Sequence, residues 1–300
     1  MSEDPSFQNP PTIDPIAAAR WNTWQHSPSP WLNEEIGRRM QERLEWIKLQ
    51  PKSWLDWHPL SGGMKAHQLV SQRYPKAGVH VVESSAQRES AVKKILKPAF
   101  WRQMLNLSNA SFGMPEDAAV DMVWANMALH VSARPHELLQ IWHKALAVDG
   151  FLMFSCLGPD TLKELSQIYA QAGWPAPTHA YTDMHDWGDM LVQAGFAEPV
   201  MDMERITLTY SSPETLVTEL RQLGRNLHHA RFAGLRGKSW LAELKNHLQK
   251  LCSETSREPL RITVEVIYGH AIKPLARFKV ASESAISLQN MRDTLKQSRG

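Results

Sequence analysis

Glu83 and the turn Ser61-Gly62-Gly63 stand at a spacing that can hold a nucleotide. A glycine turn that opens a helix brings backbone N–H groups close to a ligand, and an acid about 20 residues further on accepts hydrogen bonds from a ribose diol. Glu83 lies 21 residues beyond Gly62, and an ionised carboxylate can accept both hydroxyls. Metal chemistry has weaker support. Asp183, His185 and Asp186 read as a helix N-terminus with a capping acid. His228 and His229 are adjacent, so on a helix they do not share a face, and no acid or cysteine cluster accompanies them. The two cysteines, Cys156 and Cys252, fall in unrelated segments without a Cys-x-x-Cys, and both are expected to be reduced and structural.

The elements that must position these groups follow from apolar periodicity. Ser53-Trp54-Leu55-Asp56-Trp57 reads as a buried strand, 64–74 as a helix closed by Pro75, and Gly78-Val79-His80-Val81-Val82-Glu83 as a strand covered on both faces. This is half of a nucleotide-binding βαβ unit. Ahead of it, 31–49 carries apolar residues on one helical face. Beyond it come a helix over 86–96, a weak third strand over 101–107, a loop over 108–116, and a fourth strand over 119–126. A helix over 134–147 is expected to stop at Asp149-Gly150, followed by a fifth strand over 151–156. Helices over 159–171 and 181–194, a strand over 201–210, helices over 212–223 and 238–251, and a last strand over 261–270 complete the chain. This order predicts a doubly wound α/β fold: a seven-stranded, mostly parallel sheet with N-terminal helices and a helical insertion between the last strands. Its ligand site belongs at the strand C-termini. Residues 1–14 read as a disordered leader, 15–274 as one domain, and 275–300 as a weakly structured tail.

Composition narrows the class. The chain has 300 residues, 43% hydrophobic, enough for a proper core. With 33 basic and 31 acidic residues the net charge is +2, which gives no argument for nucleic acid or a membrane surface. No run of about 18 apolar residues is present and the first residues are polar, so the cytoplasm is the expected compartment. Of 12 tryptophans, Trp21, Trp24, Trp31 and Trp46 precede the first strand; core packing is the plain expectation, with some lining a pocket.

These residues resemble the class I S-adenosylmethionine-dependent methyltransferases, and among them the malonyl-acyl-carrier-protein O-methyltransferases of biotin synthesis. The resemblance runs from about Trp31 to Pro274. Its carriers are Asp121-Met122-Val123-Trp124-Ala125-Asn126-Met127-Ala128-Leu129-His130, Val148-Asp149-Gly150-Phe151-Leu152-Met153-Phe154-Ser155, Leu157-Gly158-Pro159-Asp160-Thr161-Leu162-Lys163-Glu164-Leu165, Asp183-Met184-His185-Asp186-Trp187-Gly188 and Ile267-Tyr268-Gly269-His270-Ala271. One departure stands out. Where the class usually reads Leu-Asp-Leu-Gly-Cys-Gly-Thr-Gly, this chain reads Leu55-Asp56-Trp57-His58-Pro59-Leu60-Ser61-Gly62. Side chains at His58 and Leu60 are expected to crowd the turn, and Pro59 removes a donor, so cofactor binding should be weak relative to glycine-rich relatives.

The resemblance implies the following roles. Glu83 would hold the ribose hydroxyls, Asp56 would order the turn near the cofactor's amino-acid end, and Gly62 and Gly63 would open the helix. Asn109 and Ala110 occupy the loop that reaches the adenine edge, and Asn126 would sit beside the transferable methyl. The acceptor would be a malonyl thioester on acyl carrier protein or coenzyme A, and its carboxylate needs a cation, preferably arginine. Arg231 is the first candidate and Arg225 the second, in the basic segment after the sixth strand. No catalytic acid or base is expected, because a carboxylate nucleophile is already ionised. Two alternatives stay open: a protein of this fold that has lost cofactor binding and acts as a partner subunit, and an enzyme with another small acceptor.

Overall fold

A computed structural model describes residues 13–23, 29–96, 110–251 and 259–275. Seven strands form one sheet: β1 (Ser53–Trp57), β2 (Gly78–Val82), β3 (Ala110–Phe112), β4 (Val120–Ala125), β5 (Leu146–Leu157), β6 (Ala197–Tyr210) and β7 (Leu260–Ile272). Their spatial order is β3-β2-β1-β4-β5-β7-β6. The pairs from β3 to β5 are parallel, with Trp54 beside Val79 and Leu55 beside Val123, whereas β7 runs antiparallel to both neighbours, with Phe154 beside Gly269 and Ile206 beside Val264.

The helices are α1 (Pro15–Thr23), α2 (Trp31–Arg43), the single turn α3 (Pro59–Gly62), α4 (Met64–Arg73), α5 (Ala86–Ile95), α6 (Pro135–Ala145), α7 (Lys163–Gln171), α8 (Met184–Gln193), α9 (Pro213–Leu223) and α10 (Lys238–Leu251). The last two form the helical insertion between β6 and β7. No helix among the described residues is long and apolar enough to cross a membrane.

The strands read as continuous apolar runs because both sheet faces are covered. Trp54, Met122, Trp124, Phe151 and Met153 enter one core layer, and the alternate residues Leu55, Val123, Ala125, Leu152 and Phe154 enter the other. Strand order reverses between β1 and β4, so the cleft beyond Trp57 and Ala125 is where such sheets hold ligands.

Several boundaries differ from the sequence expectation. The stretch 101–107 lies outside the described residues, and the third strand forms at Ala110–Phe112, inside the stretch read as a loop. Three residues paired only to β2 at a sheet edge leave too short a pattern to recognise. Asp149-Gly150 does not end a helix: α6 stops at Ala145, and β5 already begins at Leu146. Asp149 takes a left-handed φ of 64° in a bulge of β5 against β4, where the Asp149 N–H donates to the Lys273 carbonyl at 2.9 Å. The helix expected from residue 159 starts at Lys163, because Gly158 and Thr161 are tied to Glu265 on β7.

Close packing between β5 and β7 depends on Gly269, where an added Cβ would lie 2.4 Å from Phe154 Cε1 and 2.8 Å from Met201 Sδ. Gly269→Ala is expected to destabilise the fold by about 1 to 3 kcal/mol, the usual scale of overpacking, read as a lower denaturant midpoint at unchanged slope.

Candidate active site

The cleft is built from β1 outward. His58 follows the strand with φ 56°, the left-handed conformation that glycine adopts without strain. Its ring stacks on Trp57 at 4.9 Å between centroids, and burial, with the positive charge of Arg88 adding to it, pushes its pKa down to about 3. The next residues wind into α3 instead of an open loop. Every backbone N–H of this turn is used internally. The His58 N–H donates to the Val82 carbonyl at 2.8 Å and the Leu60 N–H to Glu83 Oε1 at 2.8 Å. The N–H groups of Ser61 and Gly62 donate to the His58 carbonyl, and that of Gly63 to the Pro59 carbonyl. The Leu60 side chain points into the core and does not crowd the cleft.

Glu83, just past β2, has its side chain buried. Its second oxygen accepts from Arg88 Nε at 2.8 Å, and the side chains are 0% and 1% exposed respectively. Arg88 Nη2 also donates to Ser61 Oγ. Burial pushes the Glu83 carboxyl up, against the opposing effect of Arg88. Asp56 lies deeper, paired with His67 Nδ1 of α4 at 2.6 Å, and burial raises its pKa too. Neither acid lines the cleft.

Gly62 and Gly63 have packing roles at this turn. A Cβ on Gly62 would stand 2.9 Å from the Asn126 carbonyl, and Gly63 has a φ of 125° with Glu34 Oε2 2.6 Å from where its Cβ would be. Glu34 of α2 caps α4 from a distance, accepting from Lys65 N at 3.0 Å and Ala66 N at 3.1 Å. Asn126 is buried at the end of β4, where its Nδ2 donates to the carbonyls of Asn33 and Gly62 and its Oδ1 accepts from Ser155 Oγ at 2.6 Å. It therefore ties α2, α3 and β5 together. Ala110 opens β3 and is not among the residues lining the cavity, and Asn109 lies outside the described residues.

A cavity of about 490 Å³ opens from this edge toward the insertion. His58, Ser61 and Asn126 form its sheet end; Leu165, Leu220 and Trp240 stand for the mostly apolar remainder. Trp21 also lines it, whereas Trp46 is 86% exposed and contributes nothing. Of the two arginine candidates, Arg225 lines the cavity, with its guanidinium 6.0 Å from the Trp21 ring, and the exposed Arg221 stands on the same wall. Arg231 does not line it. Its Nη1 pairs with Asp14 Oδ2 at 2.7 Å, and beside it Ile13 bridges to His228, so the end of the stretch read as a leader is docked on the insertion. Asp183 caps α8 through His185 N at 2.8 Å, and no group of three metal-ligating side chains occurs among the described residues.

Sequence reasoning missed Arg88 and Glu34, and took Ser61 only as a turn residue. Arg88 follows Glu83 by five positions across a strand–helix corner, and no periodicity marks that contact.

The strand order, the reversed β7 and a cleft beyond β1 and β4 define the class I methyltransferase fold, an S-adenosylmethionine-dependent class. YcgJ of Bacillus subtilis aligns with a TM-score of 0.53 at 11% identity, over 80% of this chain and 99% of its own. The BH2331 protein of Bacillus halodurans C-125 aligns with the same TM-score at 13% identity, over 80% and 100%. No family model matches the chain. Curated relatives are more specific. A malonyl-[acyl-carrier protein] O-methyltransferase of Gallionella capsiferriformans is 39% identical over 256 residues, 82% of this chain and 85% of the relative. That of Laribacter hongkongensis is 37% identical over 254 residues, covering 82% and 84%. The chain belongs to the malonyl-[acyl-carrier protein] O-methyltransferase family.

The fit of the class cofactor to these residues is uneven. The cleft end at Asn126 and His58 is open, but Glu83, the acid expected to take the ribose hydroxyls, already accepts from Leu60 N–H on one oxygen and from Arg88 on the other, and the turn has no spare N–H. As they stand, with Arg88 on Glu83, these residues do not fit a nucleotide there.

Buried histidines give this site a pH signature. Burial lowers His130, on the cavity wall, to about 3. The unfolded chain binds that proton near pH 6.5 while the folded chain does not, so the contribution is fully present above about 6.5 and lost as pH falls toward 3. Wild-type stability should decline over that window, and His130→Asn should show a shallower decline in denaturation midpoints.

Proposed function

We propose that the cavity takes the acyl end of a malonyl thioester on acyl carrier protein, and that the chain methylates its free carboxylate. The carrying observation is a mostly apolar chamber that begins at Asn126 and carries Arg221 and Arg225 on the insertion wall. A thioester stem suits the apolar walls, and a planar guanidinium suits the carboxylate. The carboxylate needs no general base, so the protein's work on the acceptor is to orient it and exclude water. The covering helices α9 and α10 and the α1 segment serve that exclusion. Among the arginines, Arg225 is favoured for the carboxylate, and Arg231 holds Asp14 and thereby the segment beneath Trp21. Coenzyme A could present the same thioester, and a cytoplasmic setting goes with either carrier.

The Glu83–Arg88 pair favours a second reading, in which the fold serves as a partner subunit with its nucleotide subsite closed. Mass analysis of malonyl carrier protein after incubation with S-adenosylmethionine separates the two. A carrier heavier by one methyl group supports the enzyme, and an unmodified carrier at high protein excess sinks it.

If methylation occurs, Arg225→Ala should raise the KM for malonyl carrier protein. Because Arg225 is exposed, the effect should be near 1 kcal/mol, roughly fivefold, and Arg225→Lys should recover part of it. Arg231→Ala should instead lower the melting temperature with little effect on KM. Equal turnover of an acetyl thioester would remove the carboxylate from the reading.

A further inference from the structure

Arg88 occupies the Glu83 carboxylate that the proposed function would need for a nucleotide. We infer that Arg88 is an internal competitor for the methyl donor: its guanidinium takes the Glu83 oxygen that a ribose diol would use, and nucleotide binds only as Arg88 leaves. This deepens the proposed function and rests on its methyl donor being a nucleoside. Three observations carry it. The pair is closed from solvent on both sides, with Nε to Oε2 at 2.8 Å. The other carboxylate oxygen is held by Leu60 N–H at 2.8 Å, so Glu83 has no oxygen left unbonded. Arg88 reaches Ser61 as well, which fastens the turn over the same place, and the cavity ends at Ser61 without reaching Glu83.

The chemistry of the two ligands is comparable. Arg88 places Nε on Oε2 inside a contact closed from solvent, so the guanidinium and a diol hydroxyl seeking that same oxygen exclude each other there. The guanidinium brings a charge that the diol lacks, which favours the closed form in the absence of ligand. A diol-bearing nucleoside must therefore displace Arg88 from Glu83 before it gains its own hydrogen bonds, and its apparent affinity falls by the population of the open form.

The test is calorimetric titration of wild type and Arg88→Gln with S-adenosylmethionine, adenosine and 2′-deoxyadenosine. Competition predicts about tenfold tighter S-adenosylmethionine binding in Arg88→Gln, the scale of one freed charged acceptor. It also predicts that the preference for adenosine over 2′-deoxyadenosine grows severalfold, which general loosening of the fold would not produce. Equal or weaker binding by a folded Arg88→Gln, with wild type binding, removes the role of Arg88 and leaves the donor reading standing. No binding by either protein removes both. Should Arg88→Gln fail to fold, phenylglyoxal labelling of wild type decides: Arg88 must become reactive when S-adenosylmethionine saturates the protein, and unchanged protection, or no saturation at millimolar ligand, overturns the inference.

Discussion

A carboxylate buried at the end of the parallel strand β2, next to the sheet edge, is the constraint on which this site depends. Glu83 cannot stay ionised there without donors, and the chain supplies Leu60 N–H and Arg88. Once Leu60 N–H is committed, residues 59–62 must wind into a single turn, and His58 must take the left-handed conformation that lets the turn begin. Breaking such a pair from one side leaves a buried charge alone, whereas replacing both partners can be nearly neutral. The shape of the turn and the identity of residue 88 are thus a single choice.

The same constraint divides the cleft. At the end of β2 the contacts of Glu83, Arg88 and Ser61 close the cleft; toward β4, β5 and the insertion a cavity opens. Asn126 marks the boundary. Its amide holds α2 and α3 together while Ser155 holds its oxygen, so it fixes the floor of the open half with every side-chain group satisfied. Glu34 completes the arrangement by capping α4, a service that the positive-φ Gly63 has no side chain to perform.

The cover over the open half comes from distant parts of the chain. The α1 segment reaches the insertion through Asp14–Arg231 and the Ile13–His228 bridge, and Trp21 meets Arg225 across the cavity wall. A basic segment that looks from sequence like one carboxylate site is therefore split in two, with one arginine fastening the cover and another facing the chamber. The chamber is mostly apolar and carries Arg225, while the end at Glu83 carries a feature of its own in Arg88.

Much of the fold was legible before any coordinates. Valine runs, the 31–49 apolar stripe and the alternation of strands with helices are local, periodic signals, and they name the sheet, its insertion and β1, β2 and β4 nearly to the residue. Glu83 could be picked out because its distance from Gly62 is a local spacing. What its oxygens touch could not, since that depends on a guanidinium brought round a corner by α5 and on an N–H supplied by the turn. The destinations of Asp56, Arg231 and Asn126 were hidden for the same reason: each is settled by a partner 11, 217 or up to 93 positions away. Sequence determined which elements form and in what order. Only the tertiary structure decided which charges neutralise one another and which face the cavity, because burial and pairing are properties of neighbours in space.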